Sequence, residues 1–481
     1  VAVPAVAALA LGLWGIDRQN SMWRDESVTY QVAHRSLGDL WGLLGHIDAV
    51  HGLYYLLMHA VFAVWDGGLV TLRLPSTVAT ALAAAGVGAI GTRLADRRTG
   101  LLAGLVFALL PVTQQYAQEG RSYALVTAGV TWATYLFLRA VDGDRRACWV
   151  AYAGTLGLAG WLHEFAALAL VAHALTLWRL RPSGRVWRRW GIASAAVLVC
   201  LLPLAVVSAG QAEQQLGWLG RPSPAMWAQF VLIAGAGLLF CRFLPGRSGD
   251  TDSGDAHSGD GTTLKSLALP MLVAPAGLLM TGSLVKPWYV DRYVIYGMTG
   301  LALLAGAVLS RAIGQRHRLT PPARVLTACL LAGASVAVLL PWSLQIRSPE
   351  SRKDDVVAVA HTVEKVTRPE DAVLFMPARR REWLLSYPSV YDRLNDLALA
   401  ESPAASRTLQ GTELPAGTIR RHILAADRVI ALTDPAGQPL DPFAQEAVKR
   451  EVLEEHFDVC SRTPVRGAQV VVYARAGHCA D

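Results

Sequence analysis

The chain has 481 residues, a formal net charge of +7, 53% hydrophobic and 17% charged residues, and a mean hydropathy of +0.33. Soluble domains carry about 25% charged residues, so the composition excludes an ordinary soluble enzyme. The charge is also unevenly spread: residues 1–346 hold 26 Lys and Arg with 17 Asp and Glu, or 12%, whereas residues 347–481 hold 18 with 20, or 28%.

In chain order, apolar runs near the bilayer length of about 20 residues read as spanning helices at 1–16, 71–92, 100–113, 123–140, 148–162, 165–179, 190–209, 225–242, 267–285, 293–310 and 324–343. Val1 lies inside the first run, which reads as a truncated crossing. No small-residue cleavage site follows it, so it is not read as a signal peptide. A twelfth apolar run, 51–65, carries His51 and His59. The basic residues decide its placement. The loops 93–99, 139–149, 179–190, 242–265 and 311–324 hold 3, 3, 5, 3 and 4 Lys or Arg, and all the intervening connections together hold 8. If 51–65 does not cross, all five basic loops fall on the cytoplasmic side. The run is therefore expected to lie along the outer face as a juxtamembrane or re-entrant helix. The fold class that follows is a polytopic α-helical membrane protein of about 11 spanning helices. Its domain 1–346 has an outer connection at 17–70, and residues 347–481 form an extracytoplasmic α/β domain.

Segment 246–263 is rich in Gly, Ser and Asp without apolar anchors and reads as a disordered cytoplasmic loop. Beyond residue 346, strands are expected at 372–376, 428–432 and 470–473, and helices at 354–366, 418–425 and 443–456. That alternation predicts a small, mostly parallel sheet. Cys460 and Cys479 are the only two cysteines of this domain. An oxidising exterior predicts a disulfide between them, while Cys148, Cys200, Cys241 and Cys329 are expected to stay reduced.

The basic excess sits in short loops between apolar runs, which argues against a nucleic-acid partner. Polar residues gather instead on the expected outer side. Asp25 and Glu26 follow the first crossing. A carboxylate beside an apolar surface can serve as a general base, and the plain alternative is a pair of solvated loop acids with Arg24 as ion-pair partner. Arg292 and Lys286, beside Trp288, Tyr289 and Tyr293, suit a phosphate at the interface, or equally the anchoring of a helix end. Glu119 with Arg121 suits sugar or phosphate binding, or a local ion pair. His163 and Glu164 form a two-residue connection that either lines a cavity or only makes a turn. No acid lies mid-helix, which places the chemistry at the outer boundary rather than in a path through the bilayer. No cysteine spacing specifies a metal.

The segments WRDES (23–27), DAVHGLYYLLMH (48–59), LRLPS (72–76), GLLAGLVFALLPVTQQYAQEGRSYAL (100–125) and KPWYVDRYV (286–294), in that order, resemble bacterial relatives of the protein O-mannosyltransferases. These are glycosyltransferases of the GT-C fold, similar to the lipid A aminoarabinose transferases. The resemblance covers about residues 10–310. It implies Asp25 and Glu26 as the catalytic acids, His51, Tyr54 and Tyr55 in a substrate-cavity segment, a second acidic site at Glu119, and Arg292 with Tyr293 at the lipid phosphate. The prolines of the relatives' cavity segment are replaced by Gly52 and Leu53. The implied activity is transfer of mannose or another sugar from a polyprenyl-phosphate donor to a glycan, lipid or protein hydroxyl on the outer membrane face. Some relatives of the fold use a divalent ion. Asp25 acting alone implies inversion, since a retaining double displacement needs a second carboxylate about 5 Å away. Two other classes remain: a transporter of lipid-linked sugar, which wants paired charges at mid-membrane, and a non-enzymatic envelope assembly protein, for which Asp25 is dispensable.

Overall fold

The computed structural model describes residues 1–479 apart from 144, 218, 245–260, 315–332, 334, 336 and 370. The chain divides into two compact units. One comprises Val1–Ile16, Asp48–Tyr54 and Arg73–Leu344, and the other Asp17–Ile47, Tyr55–Leu72 and Gln345–Asp481. The expected outer connection is thus grouped mainly with the C-terminal residues.

The first unit is helical. Helices occupy the first ten expected crossings: Ala2–Leu13, Leu69–Leu94, Arg97–Leu109 with Pro111–Ala117, Tyr123–Gly143, Arg146–Leu162, Ala169–Leu180, Gly184–Leu216, Pro224–Phe243, Gly261–Gly282 and Met298–Gly314. Six helices among the described residues, or seven with the bent pair, are long and apolar enough to cross a bilayer. The run 324–343 falls mostly outside the described residues, where only Ala337–Ile346 is a short apolar helix. Segment 246–263 lies outside them up to residue 260. Leu158, Val199 and Leu232 are exposed at 59%, 69% and 73%, an apolar surface that lipid tolerates and water penalises. The helices approach through small residues: a Cβ on Gly306 would overlap the backbone of Ala103.

The bend after Leu109 has a local cause. Leu110 precedes Pro111 and takes an extended conformation (ψ 128°), because the proline ring disfavours helix at the residue before it. The two helical pieces meet at 66°, and the second leads into residues 118–122. Run 51–65 forms the helix Gly52–Val64 after a 3-10 turn at Ala49–His51.

In the second unit, strands β1 (Ala372–Met376), β2 (Asn395–Asp396), β3 (Leu399–Glu401), β4 (Thr412–Glu413), β5 (Arg428–Thr433), β6 (Asp458–Val465) and β7 (Ala468–Ala474) form a five-stranded sheet in the order β2-β1-β5-β7-β6 and a β3-β4 pair. The expected strands and helices are present, but the sheet is mixed rather than mostly parallel. β1 runs parallel to β2 and β5, while β7 is antiparallel to both β5 and β6. The sequence hides β6 because DVCSRTPV is a polar edge strand, exposed along most of its length, with Pro464 tolerated at that edge. Arg466 and Gly467 (φ +80°) close the β6–β7 hairpin. Ala372, Leu374 and Met376 share one core with Val429, Ala431 and Val471 and with Ile419, Ile423, Val452 and Leu453 of the helices Ala416–Ala425 and Ala444–His456. Cys460 and Cys479 are joined, Cα to Cα 5.2 Å, as expected. Cys148, Cys200 and Cys241 are free, and Cys329 lies outside the described residues.

The helix Leu37–Leu44 starts at Ser36, whose hydroxyl accepts from Asp39 N. The preceding helix, Arg24–Ala33, begins at Trp23, which offers no side-chain cap. Asp25 and Glu26 therefore stand on the first turn of a helix rather than in an open loop.

Candidate functional site

Four short connections of the first unit bring polar side chains together. The turn Ala49–His51 is entered through Asp48 at φ 65°, and Gln211 Oε1 accepts from Ala49 N at 2.9 Å. Residues 118–122 are held from three sides. Thr77 Oγ1 donates to Ala117 O (2.8 Å), Ser76 Oγ donates to Arg121 O (3.0 Å), and Gln118 Nε2 donates to Gly12 O and Trp14 O. Glu119 and Arg121 are buried on this backbone, 2% and 7% exposed. The third connection is His163, just past Arg146–Leu162. The fourth is the 3-10 turn Asp291–Gly297, pinned by Tyr296 Oη donating to Phe165 O at 2.9 Å.

Aromatic rings tie these segments to one another. His163 lies 4.4 Å from Tyr293, 6.0 Å from Tyr123 and 5.9 Å from His51, centroid to centroid. Arg292 Nε donates to Tyr123 Oη at 3.0 Å. Its guanidinium lies 5.6 Å from the Tyr123 ring and 5.9 Å from the Tyr293 ring, a cation–π arrangement.

Burial, then the charges of Arg121 and Arg292, pushes His163 down to about 3. Burial, then Arg121, His163 and Arg292, pushes His51 well below its usual range. Both imidazoles are neutral at pH 7, and two arginines bear on them. Arg121 and Arg292 supply positive charge to which an anion can respond, and Asp291 and Glu119 bear on the neighbouring Tyr116, which packs on Tyr123. His163 Nδ1 is buried without a hydrogen-bond partner among the described residues. Such an atom costs about 1–3 kcal/mol, which a hydrogen-bonding ligand removes. Glu164 points elsewhere: Ser208 Oγ donates to its carboxylate at 2.6 Å, and burial raises its pKa above the usual carboxylate range.

The acids of the first outer connection belong to the second unit, and the two differ sharply. Glu26 is fully buried and ion-paired with Arg18 at 3.3 Å, both side chains 0% exposed. Asp25 is only partly buried. Arg24 Nε donates to Glu382 at 3.2 Å, and Arg24 N donates to Asp354 Oδ1 at 2.7 Å. Burial is the main cause, and the Asp25 charge a lesser one, of the Asp354 carboxyl rising to about 6.

The structure thus gathers His51, Arg121, His163, Arg292 and Tyr293. Tyr54 is fully buried in the first unit and Tyr55 in the second. Lys286 is exposed, its ammonium 5.9 Å from the Trp288 ring. Among the described contacts neither it nor the half-buried Tyr289 joins the arginine cluster. His51 and His59, eight apart, do not share a site: His59 Nδ1 bonds Ala33 O at 2.9 Å in the second unit. Arg24 has Glu382 as its ion-pair partner. Sequence reasoning missed Tyr123, Asp354, Glu382 and Arg18. The Tyr-rich stretch 116–123 was the available signal for the first, and nothing in the sequence marks the other three. Among the described residues no group of three or more His, Cys, Asp and Glu converges as a metal site would. No step is routed through a divalent ion.

Residues 52–209, about a third of the chain, match the family described as dolichyl-phosphate-mannose-protein mannosyltransferase. The matched stretch includes Tyr54, Glu119, Arg121 and His163 and leaves out Asp25, His51 and Arg292. No curated protein sequence matches the chain. In structure the chain is similar to ArnT from Cupriavidus metallidurans in the apo state, with a TM-score of 0.62 and 13% identity over 98% of this chain and 97% of that one. It is similar to the same protein bound to undecaprenyl phosphate, with a TM-score of 0.61 and 13% identity over 99% and 98%. A weaker likeness, TM-score 0.49 with 12% identity over 90% and 69%, links it to the oligosaccharyltransferase of Archaeoglobus fulgidus. The likeness to ArnT over nearly the whole of both chains is one of fold, and it bears out the GT-C fold expected from the motifs.

Proposed function

We propose that this chain is a multi-pass membrane glycosyltransferase that moves a sugar from a polyprenyl-phosphate donor to an acceptor hydroxyl on the outer membrane face. The observation that carries this reading is the positive cluster of Arg121 and Arg292 around two neutral imidazoles, in the fold of a protein solved with undecaprenyl phosphate. Arg292 and Arg121 hold the donor phosphate, with Tyr293 packed against the Arg292 guanidinium. His163, neutral and with Nδ1 unsatisfied, offers a hydrogen bond to phosphate or sugar. Eleven crossings, with residues 347–481 outside, give the topology that goes with this reading.

In the reaction, the acceptor oxygen forms a bond to the anomeric carbon as that carbon's bond to the phosphate oxygen breaks. The acceptor proton goes to Asp25, and the bond's electron pair leaves on the phosphate. A phosphate is already a stable anion and needs no general acid, only positive charge where its own charge grows. Displacement by a single attacking oxygen inverts the anomeric centre. Glu26 is occupied by Arg18, which favours Asp25 as the base and gives Glu26 the task of anchoring the turn.

The test uses purified full-length protein and undecaprenyl-phosphate mannose, with other undecaprenyl-phosphate hexoses and pentoses in parallel. Release of undecaprenyl phosphate in the presence of bacterial envelope membranes as acceptor source reports turnover. Asp25→Asn keeps the side chain's shape but cannot take the proton, so turnover drops by about 10²–10⁴-fold while donor binding persists. Near-normal turnover in Asp25→Asn removes Asp25 as the base.

A further inference from the structure

We propose that Asp354 is a positioning residue for Asp25: its carboxylate caps the N-terminus of the helix that carries Asp25, so that the C-terminal residues set the geometry of the base. The inference rests on the reading of Asp25 as the base.

The helix Arg24–Ala33 has no cap of its own, since Trp23 supplies no side-chain acceptor. The opening N–H groups of a helix need acceptors, and Arg24 N finds one 330 residues away, in Asp354 Oδ1 at 2.7 Å. A carboxylate there also suits the positive end of the helix dipole. The turn is fastened at four further points, all within the second unit. Met22 O accepts from Val356 N at 2.7 Å. Arg24 Nε donates to Glu382 at 3.2 Å. Ser27 Oγ lies 2.6 Å from Ser386 Oγ, and Ser386 Oγ donates to Ser27 O at 3.0 Å. Glu26 is locked to Arg18. The residues on either side of Asp25 are therefore fixed by the C-terminal residues and by Arg18, while Asp25 itself stays partly exposed.

Ordinary packing would use apolar contacts at such a seam. Here a half-buried carboxylate stands instead, although its surroundings penalise its charge. A carboxylate that fixes the start of the helix keeps a base in place, and a misplacement of about 1 Å costs on the order of 10²-fold in rate.

The experiment compares Asp354→Ala, Asp354→Asn and Asp25→Asn in the full-length protein. It reads turnover of undecaprenyl-phosphate mannose, donor KM, and amide hydrogen exchange at residues 24–27. Asp354→Ala should lower kcat about 10- to 100-fold, leave donor KM within about twofold, and speed exchange at residues 24–27 about five- to tenfold, the worth of one N-cap. Asp354→Asn keeps an oxygen acceptor for Arg24 N–H and should restore most of the turnover and the protection. Should Asp354→Ala fail to accumulate, Arg24→Pro replaces it. Proline is tolerated at the first helical position; it deletes the N–H that Asp354 accepts and the Arg24–Glu382 contact as well, so a loss at least as large, still confined to kcat, is expected.

Three results overturn the proposal. Asp354→Ala turns over normally while Asp25→Asn does not; Asp354→Asn is no better than Asp354→Ala; or KM and the melting temperature move together with kcat, which marks a purely structural role. If Asp25→Asn itself keeps full turnover, the base reading falls and this inference with it, and Asp25→Asn alone identifies that case.

Discussion

Replacing Arg292 by Ala tests the anion site without any acceptor. The side chain donates to Tyr123 Oη at 3.0 Å and stacks on Tyr123 and Tyr293, so its guanidinium is oriented before a ligand arrives. A hydrogen bond to a charged group is worth about 1.5–3 kcal/mol, or roughly 10- to 150-fold in affinity at 1.4 kcal/mol per decade. Arg121 contributes a second charge from a backbone held by Ser76. Each arginine lowers the His163 pKa, so losing one leaves the other to carry part of the attraction, and the single variants are expected toward the lower end of that range. The assay is direct binding of undecaprenyl phosphate to purified protein in nanodiscs, against undecaprenol as the uncharged control. Wild type should prefer the phosphate, and Arg292→Ala should lose about tenfold of that preference with undecaprenol binding unchanged. Arg292→Lys restores the charge but not the fixed fork and should recover only part. If Arg292→Ala and Arg121→Ala both bind undecaprenyl phosphate within twofold of wild type, the cluster is not the phosphate site.

Other expectations follow from the same structure. Lys449 is fully buried and donates to Glu413, Glu446 and Phe375 O; Lys449→Met leaves the buried Glu446 without its cation, while Glu413 keeps Arg381, and should cost the second unit about 3 kcal/mol, measured by denaturant unfolding. His163 has a folded pKa of about 3, lowered from 6.5 chiefly by burial, so its stabilising contribution is full above about pH 6.5 and is lost as pH falls toward 3. The loss is at most about 1.4 kcal/mol per pH unit; His163→Asn should flatten the fall of melting temperature between pH 6.5 and 5.5, and an unchanged slope would refute it. A cysteine placed at Ser183 should be labelled only from the cytoplasm, and labelling from outside would sink the proposed topology. Reducing Cys460–Cys479, which closes a loop of 19 residues, should lower the stability of the second unit by about 3 kcal/mol, with the first unit's donor binding unaffected.

What the sequence revealed and what it hid divide along the range of the interactions. Helices are local, so ten expected crossings lie on helices, and the Pro111 bend follows from one residue pair. The strands β1, β5 and β7 are buried apolar runs, visible as such. β6 escaped because its residues face solvent, and an exposed edge strand carries no hydrophobic signal. The candidate site is the opposite of local. His51, Arg121, His163 and Arg292 are separated by 42 to 241 positions, and each alone has an ordinary explanation at a helix end. Only their convergence makes His163 a neutral ring under two positive charges, and convergence depends on how close the small residues of the helices let the backbones come. Lys286 shows the converse: six residues before Arg292 and equally basic, it ends exposed near the Trp288 ring, because the 3-10 turn at Asp291–Gly297 turns Arg292 toward Tyr123 while residue 286 lies in the bend beyond the helix Gly261–Gly282. The two acids of the first outer connection separate for the same reason. Consecutive residues on a helix point about 100° apart, so the helix that buries Glu26 against Arg18 must leave Asp25 toward its edge. The sequence reading puts Asp25 first with Glu26 as the fallback, and the hold of Arg18 on Glu26 supports that order.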